Sequence, residues 1–141
     1  MDLQINERLD DLLINNLKII QNQKEFCFSL DAILLSHFAT VSKGDRVVDL
    51  GTGTGVIALI IATREAKQVV GVELNQTMAE MATRSVNLNY LADKVKILSA
   101  DMRNISKELK AGEWDLVVAN PPYRPVGAQV RLNSIDSIAC A

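Results

Sequence analysis

The chain has 141 residues, of which 48% are apolar and 23% charged, and a formal net charge of −2. That length holds one domain with its own core, and the composition is that of an ordinary globular protein. The charge balance excludes a generally basic surface for nucleic acid, although a local patch can still serve an RNA substrate. No apolar stretch approaches the roughly 18 residues of a membrane span. The acidic start, MDLQINERLDDLL, lacks the basic-then-apolar profile of a signal peptide. Cys27 and Cys140 lie far apart and suggest neither a disulfide framework nor a metal-ligand cluster. The expectation is a cytoplasmic protein without membrane or metal.

In chain order, LKIIQ (17–21) and EFCF (25–28), separated by NQK, predict a short hairpin. Ser29 is placed to cap a helix over 30–40, in which Leu30, Ile33, Leu34 and Phe38 share one face. His37 in that helix has no nucleophile beside it and reads as structural. After SKGD the pattern becomes regular. RVVDL (46–50) predicts a buried strand, followed by a glycine turn and the apolar helix VIALIIATR. QVVGVE (68–73) predicts a second strand. A helix over about 76–90 follows, capped by Asn75, with Met78, Ala82, Val86 and Tyr90 on one stripe. KVKIL (94–98) predicts a third strand, Met102, Ile105 and Leu109 mark a further helix, and WDLVVA (114–119) a fourth strand. Apolar strands alternating with helices mean βαβ units and a parallel sheet covered on both faces, so the fold class is α/β.

The expected organisation is an N-terminal hairpin and helix extension over 1–44 and a core over 45–141. Residues 124–141 supply no convincing helix or strand, which would leave the fourth strand at an open edge. A fragment of a longer protein is therefore expected.

The turn in VVDLGTGTG places Gly51, Gly53 and Gly55 between a strand and a helix, where glycine permits a tight turn and close approach to a ligand. The spacing is G-x-G-x-G, not the G-x-G-x-x-G of dinucleotide pyrophosphate sites. Asp49, just before it, would repel a phosphate and attract an ammonium group. Glu73 closes the second strand and can accept hydrogen bonds from both hydroxyls of a ribose. Asp101, in SADM beyond the third strand, can reach an adenine amino group, and Met102 can lie against the ring. Ligands of open α/β sheets bind outside the carboxyl ends of the strands. Adenosine plus an amino-acid cation is S-adenosylmethionine.

VVDLGTGTG, GVELN, SADM and NPPY, over about residues 45–123, resemble the successive motifs of class I S-adenosylmethionine-dependent methyltransferases, which have a Rossmann-like fold. The upstream FCFSLDAILLSHFA resembles the branch that methylates adenine N6 beside the anticodon of valine tRNA. The resemblance implies that Asp49, Gly51 and Gly53 hold the methionine portion, Glu73 the ribose, and Asp101 with Met102 the adenine. It also implies a seven-stranded sheet, of which this chain carries about the first four strands.

NPPY (120–123) ends a buried strand with two prolines, which fix φ, remove donors and stop the ladder. Asn120 and the Pro121 carbonyl can accept hydrogen bonds from a planar amino group, and Tyr123 can stack on a flat base. Pro122 and Arg124 are candidate substrate contacts, with Arg131 nearby, while Arg103, Lys107 and Lys110 fall in one helical segment. A similar NPPY occurs in methyltransferases acting on glutamine side chains of protein release factors, so both substrates stay open, with tRNA favoured. A different class, a non-catalytic cofactor- or RNA-binding domain, is opposed by the intact Asn120 and cofactor acids.

Overall fold

The computed structural model of the protein describes residues 3–24 and 27–121. A two-stranded antiparallel hairpin, β1 (Glu7–Asp11) and β2 (Lys18–Asn22), opens the fold, with Glu7 opposite Asn22 and Asp11 opposite Lys18. Of the strand expected over 25–28, Cys27 and Phe28 are described and lie in no strand, and residues 25 and 26 lie outside the described residues. β2 pairs instead with the segment before it. The turn explains why: Leu13, Asn15 and Asn16 all take positive φ, a conformation that asparagine tolerates well. The Leu12 N–H closes the turn on the Leu17 carbonyl at 2.9 Å. Phe28 instead donates its N–H to the Gln21 side chain at 3.0 Å.

Helix α1 (Leu30–Phe38) follows, with Ser29 at its N-cap position but making no side-chain cap bond. Of its expected apolar stripe, Ile33 packs against the core, while Leu30, Leu34 and Phe38 face outward at 68%, 56% and 86% exposure. The buried positions are Ala32 and Ser36, one turn apart. Small residues let α1 approach α2 (Val56–Ala62), and Arg64 clasps the end of α1 by donating to the Ser36 and Ala39 carbonyls at 2.8 and 2.7 Å.

The core sheet comprises β3 (Arg46–Leu50), β4 (Gln68–Glu73), β5 (Val95–Ser99) and β6 (Leu116–Ala119), all parallel, in the order β5-β4-β3-β6. The β-branched run of β3 and β4 alternates between faces. Val47 and Val69 pack with α1, the wholly buried α2 and Val86 of helix α3 (Gln76–Leu88). Val48, Val70 and Val72 face the other way, under Ile105, Leu109 and Trp114. Helices thus lie on one face, and the second face is covered more thinly by a 3₁₀ turn (Met102–Lys107) and the approach to β6. That turn replaces a longer helix, and none of its residues is buried.

Helix α3 begins as expected, Asn75 accepting the Met78 N–H at 3.2 Å. Of its expected stripe, Ala82 and Val86 are buried, whereas Tyr90 lies past the helix end at φ 58° and is 92% exposed. Side chains of α3 also hold the hairpin. Ser85 accepts the Ile20 N–H, Asn89 pairs with both the N–H and the carbonyl of Lys18, and Arg84 forks onto Glu7. Among the described residues, no helix is long and apolar enough to cross a membrane.

Candidate functional site

Strand register assembles the site. Leu50 lies opposite Val72 on one side and Ala119 on the other, and Glu73 lies opposite Ser99. One residue further along, Gly51, Glu73, Ser99 and Asn120 therefore leave the sheet in one row, at its carboxyl edge. Strand order reverses between β3 and β6, because β4 and β5 extend the sheet to one side and β6 to the other. That reversal is where open α/β sheets form their ligand crevice. The glycine turn and Asn120 flank it.

The glycine turn is stapled down. Gly51 and Thr52 donate their N–H groups to the Val72 carbonyl at 2.8 and 3.0 Å, and Gly55 donates to the Thr52 carbonyl at 2.9 Å. Gly53 donates to Glu73 Oε2 at 2.9 Å. These four donors are committed within the protein and are not offered to an anion. Gly51, Gly53 and Gly55 all take positive φ. A Cβ on Gly55 would come 3.2 Å from the Ala82 Cβ, so this glycine serves the approach of α3 and not a ligand.

Asp49 lies beneath the turn at 0% exposure. The Thr52 hydroxyl donates to its Oδ2 at 2.5 Å, while Oδ1 has no hydrogen-bond partner in the structure. Burial pushes its carboxyl up to about 7, outweighing the Thr52 bond, with a further rise from the nearby Glu73 charge. The carboxyl sits by the first turn of α2, the position from which dinucleotide folds hold a pyrophosphate. Here that position holds a carboxyl group, and the Gly51, Thr52, Gly53 and Gly55 donors beside it are already bonded.

Glu73 is half-buried at the end of β4, with Oε1 accepting the Asn75 N–H at 2.8 Å and Oε2 the Gly53 N–H. Each oxygen keeps a lone pair for a further donor. Asp101 caps the 3₁₀ turn through the Arg103 N–H. Its carboxyl is held down at about 2 by hydrogen bonds from Arg103. Met102 is 46% exposed, and its Cε would lie 3.6 Å from a Cβ on Gly51.

Gly51, Gly53, Glu73, Asp101, Met102 and Asn120 thus gather along one edge, with Asn120 half-buried and Pro121 exposed. Asp49 lies under that edge instead of on it. Pro122, Tyr123, Arg124 and Arg131 lie outside the described residues.

Four contributors escape a sequence reading centred on the glycines. Thr52 caps Asp49. Gly71, inside β4, makes room for it: a Cβ there would come 2.8 Å from Thr52 Oγ1 and 2.9 Å from Thr52 Cγ2 and Ile97 Cδ1. A glycine interrupting the valines of QVVGVE was the available signal, since glycine within a strand marks a close approach. Met78 Cε would lie 3.5 Å from a Cβ on Gly53, so this residue of α3 serves the turn as well as the helix. Leu74, next to Glu73, is 67% exposed and with Met102 gives the edge two apolar surfaces between its acids.

Comparison with known proteins places these features in a family. Residues 29–140 match the family model described as methyltransferase small domain. The tRNA1(Val) (adenine(37)-N6)-methyltransferase of Pasteurella multocida is 40% identical over 99 residues, covering 69% of this chain and 41% of that protein. Its namesake in Haemophilus influenzae is 35% identical over 107 residues, covering 74% and 46%. The chain spans less than half the length of these curated relatives. Among solved structures, Methanocaldococcus jannaschii Trm5 in complex with adenosine aligns with a TM-score of 0.63 at 20% identity, covering 86% of this chain and 37% of that one. That likeness shows a shared Rossmann-like fold. By its matched sequence and its sheet, the chain belongs to the methyltransferase small domain family.

Proposed function

We propose that the protein is an S-adenosylmethionine-dependent methyltransferase acting on a planar exocyclic amino nitrogen, adenine N6 of tRNA. The observation that carries the cofactor reading is the chemistry of the glycine turn. Four of its donors, on Gly51, Thr52, Gly53 and Gly55, are spent on Val72, Glu73 and Thr52, and a buried carboxyl with one unpartnered oxygen lies beneath it. Such a turn is poorly suited to a diphosphate and fits a ligand with an ammonium group and a ribose. Glu73 holds the ribose hydroxyls through the free lone pairs of its two oxygens. Asp101 accepts from the adenine amino group, while Leu74 and Met102 offer apolar surface to the ring. Asp49 acts mainly through the turn that it supports.

When bound, the cofactor supplies an electrophilic methyl group on a sulfonium. The protein's task is to present a weak nucleophile to it, because the lone pair of an aromatic amino group is delocalised into the ring. Asn120 leaves the sheet beside Gly51, with its amide oxygen and the Pro121 carbonyl available as acceptors. Two acceptors fixed on the N–H bonds favour a pyramidal nitrogen and direct its lone pair. Asn120 is no base; attack leaves a cationic nitrogen whose proton passes readily to water. Positioning and electrostatics carry the rate.

The substrate reading draws on the names of the relatives, at 30–40% identity, and on NPPY. Tyr123 stacks on the flat base, and Pro122 and Arg124 contact the substrate. The same amino chemistry would serve a glutamine side chain, so the experiment separates the two. The intact protein and labelled cofactor are incubated with bulk tRNA or with a protein release factor. Label in N6-methyladenosine of tRNA is expected; label in the release factor alone would sink the RNA reading.

A further inference from the structure

Glu73 and Asp101 are held in different ways, and the difference has a consequence for the adenine end of the site. The partners of Glu73 are backbone N–H groups, one on each oxygen, and they cannot leave without unfolding the turn. Asp101 is held largely by a side chain. The Arg103 N–H donates to Oδ1 at 2.9 Å, Nε lies 3.0 Å from Oδ1 and 2.9 Å from Oδ2, and Nη2 lies 2.5 Å from Oδ2. A carboxylate offers about four lone-pair positions. Arg103 fills about three of them with three N–H donors, its single Nε hydrogen shared between both oxygens, so an adenine amino group must share either oxygen of Asp101 with it.

One side of this arrangement is free to move. The Arg103 side chain is 82% exposed and that of Asp101 23%. The backbone bond belongs to the cap of the 3₁₀ turn and stays, whereas the guanidinium can swing into water at little cost. We propose that Arg103 competes with the cofactor's adenine for Asp101, and so sets both the affinity of the pocket and its selectivity for a 6-amino purine. Docking of the amino group displaces the Nε and Nη2 contacts, and the released guanidinium moves to solvent beside the pocket. Arg103 acts through Asp101 and touches no reacting atom. This inference rests on the cofactor reading given above.

The test is calorimetric binding of S-adenosylhomocysteine, and of its analogue with hydrogen in place of the 6-amino group, to the intact wild-type protein and to Arg103→Ala and Arg103→Lys. Neither ligand carries the sulfonium charge, so loss of the arginine charge acts on both alike. Exposed ion pairs are weak, and Arg103→Ala should therefore bind the amino-bearing ligand about two- to fivefold tighter. Its affinity for the analogue should not change, and Arg103→Lys should fall between wild type and alanine. Weaker or unchanged binding of S-adenosylhomocysteine by Arg103→Ala overturns the competition, as does an equal change for both ligands. If wild-type protein binds neither ligand, the cofactor reading itself fails and the inference with it.

Discussion

Replacing Asp49 by asparagine tests the electrostatics of the glycine turn. Asparagine keeps an oxygen for the Thr52 hydroxyl and nearly the same shape, but removes the titration. Burial raises this carboxyl from 3.8 to about 7. The folded state therefore keeps a proton that the unfolded chain loses near pH 4. Between those values the folded state binds more protons, so stability falls as pH rises, by at most about 1.4 kcal/mol per pH unit. The contribution is full below pH 4 and gone above pH 7. Urea unfolding at half-unit steps from pH 5 to 8 measures it, with the denaturant slope as a check on two-state behaviour. Wild type should lose about 2–3 kcal/mol relative to Asp49→Asn over that range, taking one site and roughly two pH units. Glu7 and Asp101 do not interfere, because hydrogen bonds from arginines lower their carboxyls and both titrate below this window. A wild-type-minus-variant difference that stays flat across the range would refute the buried, raised carboxyl.

Three further outcomes follow from the same geometry. Gly71→Ala drives a Cβ to 2.8–2.9 Å from Thr52 and Ile97, and should cost about 1–3 kcal/mol of stability by urea unfolding; wild-type stability would mean that Thr52 is not pinned there. Glu73→Ala should weaken S-adenosylhomocysteine binding by about 1–3 kcal/mol, the scale of hydrogen bonds to a charged group. Unchanged affinity in calorimetry removes Glu73 from the site. Asn120→Ala should leave cofactor binding nearly intact and lower kcat at saturating substrate, since its acceptor acts chiefly in the transition state; wild-type turnover refutes that role.

The parallel strands were legible because each is a short β-branched run closed by polar residues or glycine, and β3 and β4 fall at the residues expected from the pattern. Local pattern failed where the outcome depended on a partner. β1, ERLDD, has little apolar character, and it is held as a strand by the left-handed asparagines of the turn, the side-chain bonds of Gln21 to Asp10 and Lys18 to Asp11, and the clasp of Arg84 on Glu7. In α1 the period shows that Leu30, Leu34 and Phe38 share a face, but not which face meets α2. Close approach selected Ala32 and Ser36. The acids were legible for a different reason: in a parallel sheet, a residue that closes a strand lands at one known edge, whatever else packs around it.

That distinction explains why the glycines say less about the ligand than the acids do. A glycine turn reports only that backbone is tight, and here the tightness is internal, with Gly51, Thr52 and Gly53 bonded to the end of β4. The burial of Asp49 and its bond to Thr52 depend on Gly71, twenty-two residues away in the chain and one strand over in the sheet. With four of the turn's donors spent, the proposed cofactor reading assigns recognition to side chains at the neighbouring strand ends. On that proposal specificity rests on how freely each can be claimed: Glu73 is held by fixed backbone donors, and Asp101 by an exposed arginine side chain.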